Sequence, residues 1–333
     1  REDDEIKALP DEVANSLDQL HQAATALRKW RAEHALLSQD RPEFRLRLDE
    51  NKRIRVIEPS VQNEAHRLVE ECMVAANRCA ADFLTQQGKG LFIQHPGLRD
   101  DRADNIRKLL ESHAPHLAEH DASTAEGFKA LMKHSDQPQA EVPVKAILSR
   151  QLARAELGFD AAPHQGMGLD AYTTFTSPLR KFSDFYVHRL IKAALWNTPI
   201  KPLNSQQLEA LQATQFRARQ AANTLETWLK ADYAKTLPED PMEGTISRTM
   251  PSGFFVRLDS NGLEGFVSCK DLEGKYGFDP VTLRLVHNKN GRIFQLEQRV
   301  TVSFAGVDDE RRQINFKLLE AEEIVRGDGT DNG

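Results

Sequence analysis

The segment Asp170-Ala171-Tyr172-Thr173-Thr174-Phe175-Thr176-Ser177-Pro178-Leu179-Arg180-Lys181-Phe182-Ser183-Asp184 sets a cation where a helix start would repel it. Tyr172 to Phe175 is a short aromatic and Thr-rich run and reads as a strand. Ser177 followed by Pro178 reads as a helix start, with Ser as N-cap and Pro at the first helical position. Beyond it, Val187, Leu190, Ile191, Ala194 and Leu195 form an apolar stripe at helical spacing. Arg180 then falls in the first turn, where the helix dipole prefers acids. A guanidinium beside free backbone N–H groups suits a bound anion such as a phosphate. The alternative is an ordinary i,i+4 pair between Arg180 and Asp184.

Carboxylates form the second chemical group. Over residues 61–84, Ala65, Leu68, Val69, Cys72, Met73, Ala76, Ala80 and Phe83 share one helical stripe. Glu71 falls on the far side between Arg67 and Arg78, the position of a surface ion-pair member. Glu70 sits on the stripe's edge, near His66 and Asn77, with no cation at its spacing. A carboxylate beside an amide is the better contact for a ligand. His113, His116, His120 and His134 lack Cys or carboxylates at matching spacing and do not read as a metal site.

The elements that must carry these groups follow from periodicity. An amphipathic helix is expected from Asp11 to Leu37, with Val13, Leu17, Leu20, Ala24 and Leu27 on one face. Residues 44–48 and 54–56 read as a β-hairpin, and 91–93 as a strand. Helices are expected near 101–113, 123–134 and 143–156, the second opened by a Ser123/Glu126 capping box, and again from 205 to 234. Pro238-Glu239-Asp240-Pro241 marks a linker. Strands at 243–248, 254–258, 263–267, 292–296, 300–307 and 313–318 then suggest a small barrel. Residues 326–333 read as a polar, disordered tail.

Composition narrows the class. The chain has 333 residues, 40% hydrophobic and 28% charged, with a formal net charge of −6. That balance excludes a generally basic nucleic-acid binder. Between Tyr172 and Lys235, however, nine basic residues face four acids, a local +5 able to steer a polyanion. No apolar run approaches the ~20 residues of a membrane span. Three scattered cysteines, Cys72, Cys79 and Cys269, point to a reducing, cytoplasmic setting. The opening Arg1-Glu2-Asp3-Asp4 has no initiator Met and reads as the start of a piece of something longer.

Tyr172, Phe175, Thr176, Ser177, Pro178, Leu179, Arg180, Lys181, Phe182, Asp184, His188 and Arg189 together match one signature. It resembles that of the exoribonuclease II (RNB) family, roughly Y-x-x-F/W-T-S-P-I/L-R-K/R-Y/F-x-D followed by H-R. Leu68-Val69-Glu70-Glu71-Cys72-Met73 resembles the family's V/I-E-E-x-M segment, whose glutamate bonds the sugar of the 3′-terminal nucleotide. Pro163-His164-Gln165-Gly166-Met167-Gly168-Leu169 resembles its P-H-F/Y-G-L approach, with Gln165 in place of the aromatic residue. Ala222 stands where some relatives carry an acid, and Ser38 near where bacterial relatives carry a base-clamping Phe. Downstream, Gly244, Gly253-Phe254-Phe255-Val256, Glu264-Gly265-Phe266-Val267 and Val307-Asp308 with Arg312 resemble the ribosomal S1-type OB-fold. There Ser252 and Ser268 replace the usual Phe and His.

The resemblance implies an α+β chain. Residues 1–238 would be the C-terminal part of a mixed α/β RNB nuclease domain, 239–322 a five-stranded S1-type OB-fold β-barrel, and 323–333 the tail. It implies 3′→5′ hydrolysis of single-stranded RNA to nucleoside 5′-monophosphates. Arg180 would be the catalytic residue. Glu70, Asn77, His164, Tyr172, Thr176, Ser177, Lys181 and His188 would contact RNA, and Phe255, Asp308 and Arg312 would do so on the barrel. The implied cofactor is Mg2+, held in the family by a D-x5-D-x-D-D aspartate cluster. This sequence has no such string, only the isolated pairs Asp3-Asp4, Asp100-Asp101 and Asp308-Asp309, so no metal ligand is assigned. The expected partners are single-stranded RNA and the missing N-terminal part of the same protein, with no membrane partner and a monomer when complete. The chain alone is then expected to be inactive. The alternative is a truncated, catalytically inactive RNA-binding or regulatory protein of the same family.

Overall fold

The computed structural model describes residues 9–35, 43–122, 124–135 and 142–324. In chain order it contains helix α1 (Asp11–His34), strands β1 (Glu43–Leu48) and β2 (Ile54–Ser60), helix α2 (Glu64–Gln86) and strand β3 (Phe92–Gln94). Helices α3 (Ala103–His113), α4 (Ala125–His134) and α5 (Val144–Ser149) precede strand β4 (Glu156–Gly158). Helices α6 (Phe182–Leu195) and α7 (Ser205–Ala234) follow. Strands β5 (Met242–Met250), β6 (Gly253–Leu258), β7 (Glu264–Ser268), β8 (Tyr276–Asp279), β9 (Arg284–His287), β10 (Ile293–Phe294), β11 (Arg299–Asp308) and β12 (Gln313–Ala321) complete the described residues.

The chain divides into two compact units, neither contiguous in sequence. One comprises Arg1–Asp40, Val61–Gly97 and Ala153–Ala213; the other comprises Arg41–Ser60, Leu98–Leu152 and Thr214–Gly333. The 1–238 stretch therefore contributes to both. The expected tail at 326–333, Ser38 and the Ser123 cap lie outside the described residues. Helix α4 is instead capped by Thr124, whose hydroxyl accepts the Gly127 N–H at 3.0 Å. Among the described residues no helix is long and apolar enough to cross a membrane.

The first unit packs α2 and α6 over a core of Ala81, Leu84, Leu91, Phe92, Ala171, Tyr186, Val187, Leu190 and Leu208. Helix α2 starts at Glu64, not near 61, because the Asn63 side chain accepts the His66 N–H at 3.0 Å and caps it. Its buried face is also rotated from the expected apolar stripe. The buried residues are Glu71, Asn77, Ala80, Ala81 and Leu84, while Val69 and Met73 stay 54% and 37% exposed. Two polar residues sit on the buried face because α1 and the 172–175 segment supply their partners. On α1 only Ala24 is buried, and Val13, Leu17, Leu20 and Leu27 remain exposed.

Two further expectations fail here. Tyr172 to Phe175 is extended but forms no strand; it is tied by the Ile93 N–H to the Tyr172 carbonyl (2.8 Å) and by the Thr173 hydroxyl to Leu91 (2.6 Å). Helix α6 begins at Phe182, with Lys181 at its N-cap, rather than at Ser177. Ser177 to Lys181 forms a turn in which the Arg180 and Lys181 N–H groups donate to the Ser177 carbonyl at 3.3 and 3.1 Å.

The second unit contains a closed five-stranded barrel in the order β11-β12-β7-β6-β5. All neighbours are antiparallel except β12 and β7, which meet in parallel at Asn315 and Phe266. Ile246, Phe254, Val256, Leu258, Val267, Val300, Val302 and Phe316 fill its interior, alternating with outward residues as a half-buried strand pattern requires. Gly253 opens β6 at φ +153°, where a Cβ would lie 2.1 Å from the Val267 carbonyl oxygen, so no other residue fits. The fold class is the expected one: mixed α/β elements followed by a barrel.

The 292–296 strand does not belong to that barrel. It forms, with β8 and β9, a separate three-stranded sheet that the Gly, Asn, Asp and Pro residues of the 274–291 stretch concealed. The β1–β2 hairpin adds Ile54 and Ile57 to the barrel's core cluster. The expected helix at 143–156 stops at Ser149, because Leu152 turns back to bridge Leu98 and the Arg99 side chain bonds Gln151 at 2.9 Å.

Candidate nucleic-acid interface

Asp184 in the first turn of α6 organises the signature segment. It is 1% exposed and accepts from the Thr174 hydroxyl (2.6 Å), the Ser177 backbone N–H (2.9 Å) and the Ser183 hydroxyl (3.1 Å). The Lys181 ammonium lies 3.0 Å from the same carboxylate. Burial would raise the carboxyl pKa, but the bonds from Thr174, Lys181 and Ser177 outweigh it and hold the group below the usual range. Ser177 is thus fixed by an acid reaching back from the helix rather than capping the helix itself. Lys181, expected to contact RNA, is the counter-ion of Asp184.

Arg180 is left over. It is exposed and has no ion-pair partner among the described residues, so the Arg180–Asp184 pair does not form. Leu179 beside it is fully exposed, while Thr176 and Ser177 are half-buried.

Asn77 holds the other side of the segment. Its amide donates to the Tyr172 hydroxyl and accepts the Phe175 N–H, both at 2.8 Å. The Nε2 of His188 donates to the Phe175 carbonyl at 2.8 Å, and its ring stacks on Phe175 with centroids 4.0 Å apart. Tyr172 is 8% exposed, and burial pushes its phenol pKa up. Asn77, Tyr172 and His188 therefore brace the backbone that carries Arg180.

Glu70 and Glu71 are not disposed as their spacing suggested. Glu71 is 3% exposed and pairs with Arg31 of α1, not with Arg67 or Arg78. Glu70 also meets Arg31, at 3.1 Å, and its side chain keeps 32% of its exposure. Arg31 was missed because no local pattern links it to two acids some 40 residues downstream. Electrostatically, the Tyr172 phenol feels Arg31, Asp184 and Glu70 together, so these groups border one region of the unit.

His164 is 9% exposed and lies 5.2 Å, ring to ring, from buried His95. Burial, reinforced by His95, lowers its pKa to about 4. Burial also pushes His95 down, and the Nδ1 of His95 accepts the Gly97 N–H at 3.1 Å. His164 leans edge-on against Tyr172 with centroids 5.4 Å apart, a packing role. Gln165, where the family approach carries an aromatic, opens a short 3₁₀ turn.

The barrel residues belong to the other unit. Phe255 and Phe266 pair with centroids 5.1 Å apart, and the Arg248 guanidinium lies 4.0 Å over Phe255, a half-exposed aromatic surface. Asp308 accepts the Glu310 and Arg311 N–H groups at 3.1 and 3.0 Å, so it caps a turn. Arg312 is engaged by Asp232 and Asp309, both at 3.8 Å, and lies 5.5 Å from the Trp228 ring centre.

A profile of the RNB domain matches residues 1–197, more than half of the chain, and one of the S1 RNA binding domain matches 238–318. The chain belongs to the RNB family. Exoribonuclease 2 of Haemophilus influenzae is 31% identical over 325 residues, covering 93% of this chain and 49% of that protein. Ribonuclease R of Escherichia coli is 30% identical over 334 residues, covering 95% of this chain and 41% of that protein. The chain spans about half the length of the curated relatives it matches. In fold it is similar to Mycoplasma genitalium RNase R solved with ribose-methylated single-stranded RNA, at a TM-score of 0.78 and 20% identity, covering 93% of this chain and 50% of that one.

The magnesium that the family resemblance implies has no fitting ligand set here: among the described residues no group of three or more His, Cys, Asp or Glu could hold a metal ion.

Proposed function

We propose that the chain forms the C-terminal part of a hydrolytic 3′→5′ exoribonuclease acting on single-stranded RNA, with Mg2+ held by residues outside this sequence. The observation that carries the reading is Arg180, an exposed cation without an ion-pair partner among the described residues, on a turn bonded to buried Asp184. A guanidinium on a fixed backbone can bond two phosphate oxygens in parallel and meet charge that develops during cleavage. The names of the curated relatives, exoribonuclease 2 and ribonuclease R, support the activity. The neighbour solved with single-stranded RNA supports the substrate. The exposed apolar face of α1, with Val13, Leu17, Leu20 and Leu27, suits packing against a further part of the same polypeptide.

The test is Arg180→Lys in the complete protein. Lys keeps the charge but lacks the bidentate fork, so turnover should fall about 100-fold while RNA affinity changes little. Equal losses in both would reduce Arg180 to a binding residue, and no loss would remove it from the site. Wild-type activity should vanish in EDTA and return with Mg2+. The chain alone should not hydrolyse RNA. A complete protein that binds single-stranded RNA without shortening it would establish the non-catalytic alternative.

A further inference from the structure

We infer that the three-stranded sheet of β8, β9 and β10 carries a second contact for single-stranded RNA, a cleft that takes one base together with its phosphates. The cleft is separate from the aromatic surface of Phe255, Phe266 and Arg248. The inference rests on the part of the proposed reading that gives the chain RNA as its ligand, and not on hydrolysis.

A cleft of about 600 Å³ opens on this sheet, within the roughly 300–1,000 Å³ of ligand sites. Gly277 and Val286 are paired across β8 and β9, so they share one face of the sheet, and both line the cleft. The turn that follows β9 adds Asn288, Lys289 and Asn290 to the wall. Gly277 is exposed, and a Cβ there would meet only the Asn288 Oδ1, at 3.4 Å, and the Val286 carbonyl oxygen, at 4.0 Å. A glycine beside a half-buried valine leaves a flat apolar seat for the face of a base, and the two amides can bond its edge.

Charge selects the ligand. Between Gly274 and Phe294 stand four basic residues and one acid, a local +3 in a chain of net charge −6. Lys275, Lys289 and Arg292 are exposed and have no ion-pair partner among the described residues. The one acid, Asp279, also lines the cleft, but its carboxylate accepts the Val281 N–H at 2.8 Å and the Thr282 hydroxyl at 2.6 Å within its own turn. Cations around an apolar seat fit a polyanion that carries bases.

The wall is set before a ligand arrives. The Nδ1 of His287 accepts the Lys289 and Asn290 N–H groups at 3.2 and 3.0 Å, and the Asn290 side-chain oxygen accepts the Arg292 N–H at 3.1 Å. A turn fixed in this way lowers the ordering cost of binding. The Thr249 hydroxyl donates to the Leu283 carbonyl at 2.7 Å and so fastens the sheet to β5, one residue on from Arg248.

The experiment measures equilibrium binding of a fluorescent single-stranded oligoribonucleotide to the complete protein, in EDTA, over a range of salt. Lys275→Gln/Lys289→Gln should weaken binding about tenfold at low salt and lower the slope of log affinity against log salt by about 1.4, two phosphates at ~0.7 each. Gly277→Leu fills the seat of the base without touching a charge, so affinity should fall about tenfold with the slope unchanged. Photocrosslinking of thiouridine-bearing RNA to the wild-type protein needs no variant and should mark residues 275–292.

Unchanged affinity and slope in the lysine pair would overturn the inference. So would a loss in the lysine pair with none in Gly277→Leu, since the sheet would then be diffuse charge without a seat for a base. Crosslinks confined to β6 and β7 would overturn it as well. If the variants release an oligoglutamate peptide but keep RNA, the cleft belongs to an acidic protein partner and the inference is wrong. A complete protein that holds RNA through this cleft without shortening it would sink the nuclease reading and leave the inference standing.

Discussion

Asp184→Asn is the most direct perturbation of the segment that carries Arg180. The carboxylate takes three donors on Oδ1 (Thr174, Ser183 and Lys181) and one on Oδ2, the Ser177 N–H. Asn has the same shape but only one acceptor oxygen. If that oxygen occupies the Oδ1 position, its NH2 confronts the Ser177 N–H, and the turn before α6 loses its tether. If the amide is flipped, the NH2 faces the Lys181 ammonium instead. Either way one donor loses its acceptor, the part-buried Ser177 N–H or the Lys181 ammonium, and the bond to Lys181 loses its charge. Orphaned donors cost about 1–3 kcal/mol and charge-assisted bonds are worth about 1.5–3, and since neighbours are not additive the expected loss is about 3 kcal/mol.

Urea unfolding of the wild-type and Asp184→Asn chains at pH 7 measures that loss. The same comparison at low pH tests its origin. The carboxyl is held below its ordinary value of 3.8 in the folded state, so its contribution is complete above pH 3.8 and disappears as pH falls through the folded value. The two proteins should therefore converge in stability under acid. A difference below about 1 kcal/mol at neutral pH, within the range of ordinary surface substitutions and small neutral bonds, would refute the view that Asp184 pins the turn. So would a difference that persists unchanged at pH 2.5 (about one unit or more under the ordinary carboxylate range).

Other outcomes follow from the same geometry. His164, at about 4 rather than 6.5, must stay neutral to fold, so its contribution is complete above pH 6.5 and is lost as the pH drops from there toward 4. That gap corresponds to about 3 kcal/mol, and His164→Gln should flatten the decline in urea midpoint between neutral and acid pH; an equally steep decline would locate the sensitivity elsewhere. Gly168 has φ +65°, and a Cβ there would lie 2.2 Å from the His34 carbonyl oxygen, so Gly168→Ala should cost about 3 kcal/mol by thermal or urea unfolding. A neutral outcome would show that the end of α1 does not press on the approach segment.

The long periodic elements were legible because their patterns are local. Helix α7 runs over the expected residues 205–234, and the five barrel strands lie within one or two residues of their expected positions, apart from the longer ends of β5 and β12. The face of α2 was not legible, since its buried Glu71 and Asn77 are satisfied by Arg31 and Tyr172, 40 and 95 residues away. Apolar periodicity has no means of announcing a polar residue with a distant partner. Ser177-Pro178 carried a sound capping signal, but Asp184 claims the Ser177 N–H, and that tertiary bond delays the helix to Phe182. Arg180, expected inside the helix by the local reasoning, lies on the turn before it, exposed and without an ion pair among the described residues. Strands β8 and β9 were hidden by Gly, Asp and Pro residues that read as loop.

The ring of strands in the second unit closes through pairings that join distant parts of the chain: β11 meets β5 at Arg299 and Thr245, and β12 meets β7 at Asn315 and Phe266. Until the last of these residues leaves the ribosome, the β5–β7 meander has two open edges and an uncovered apolar lining. Long-range closures of this kind are slow, which lengthens the exposure. Strand β12 thus acts as a clasp, and a message cut short before the codon for Asn315 yields a meander prone to pair with other copies of itself.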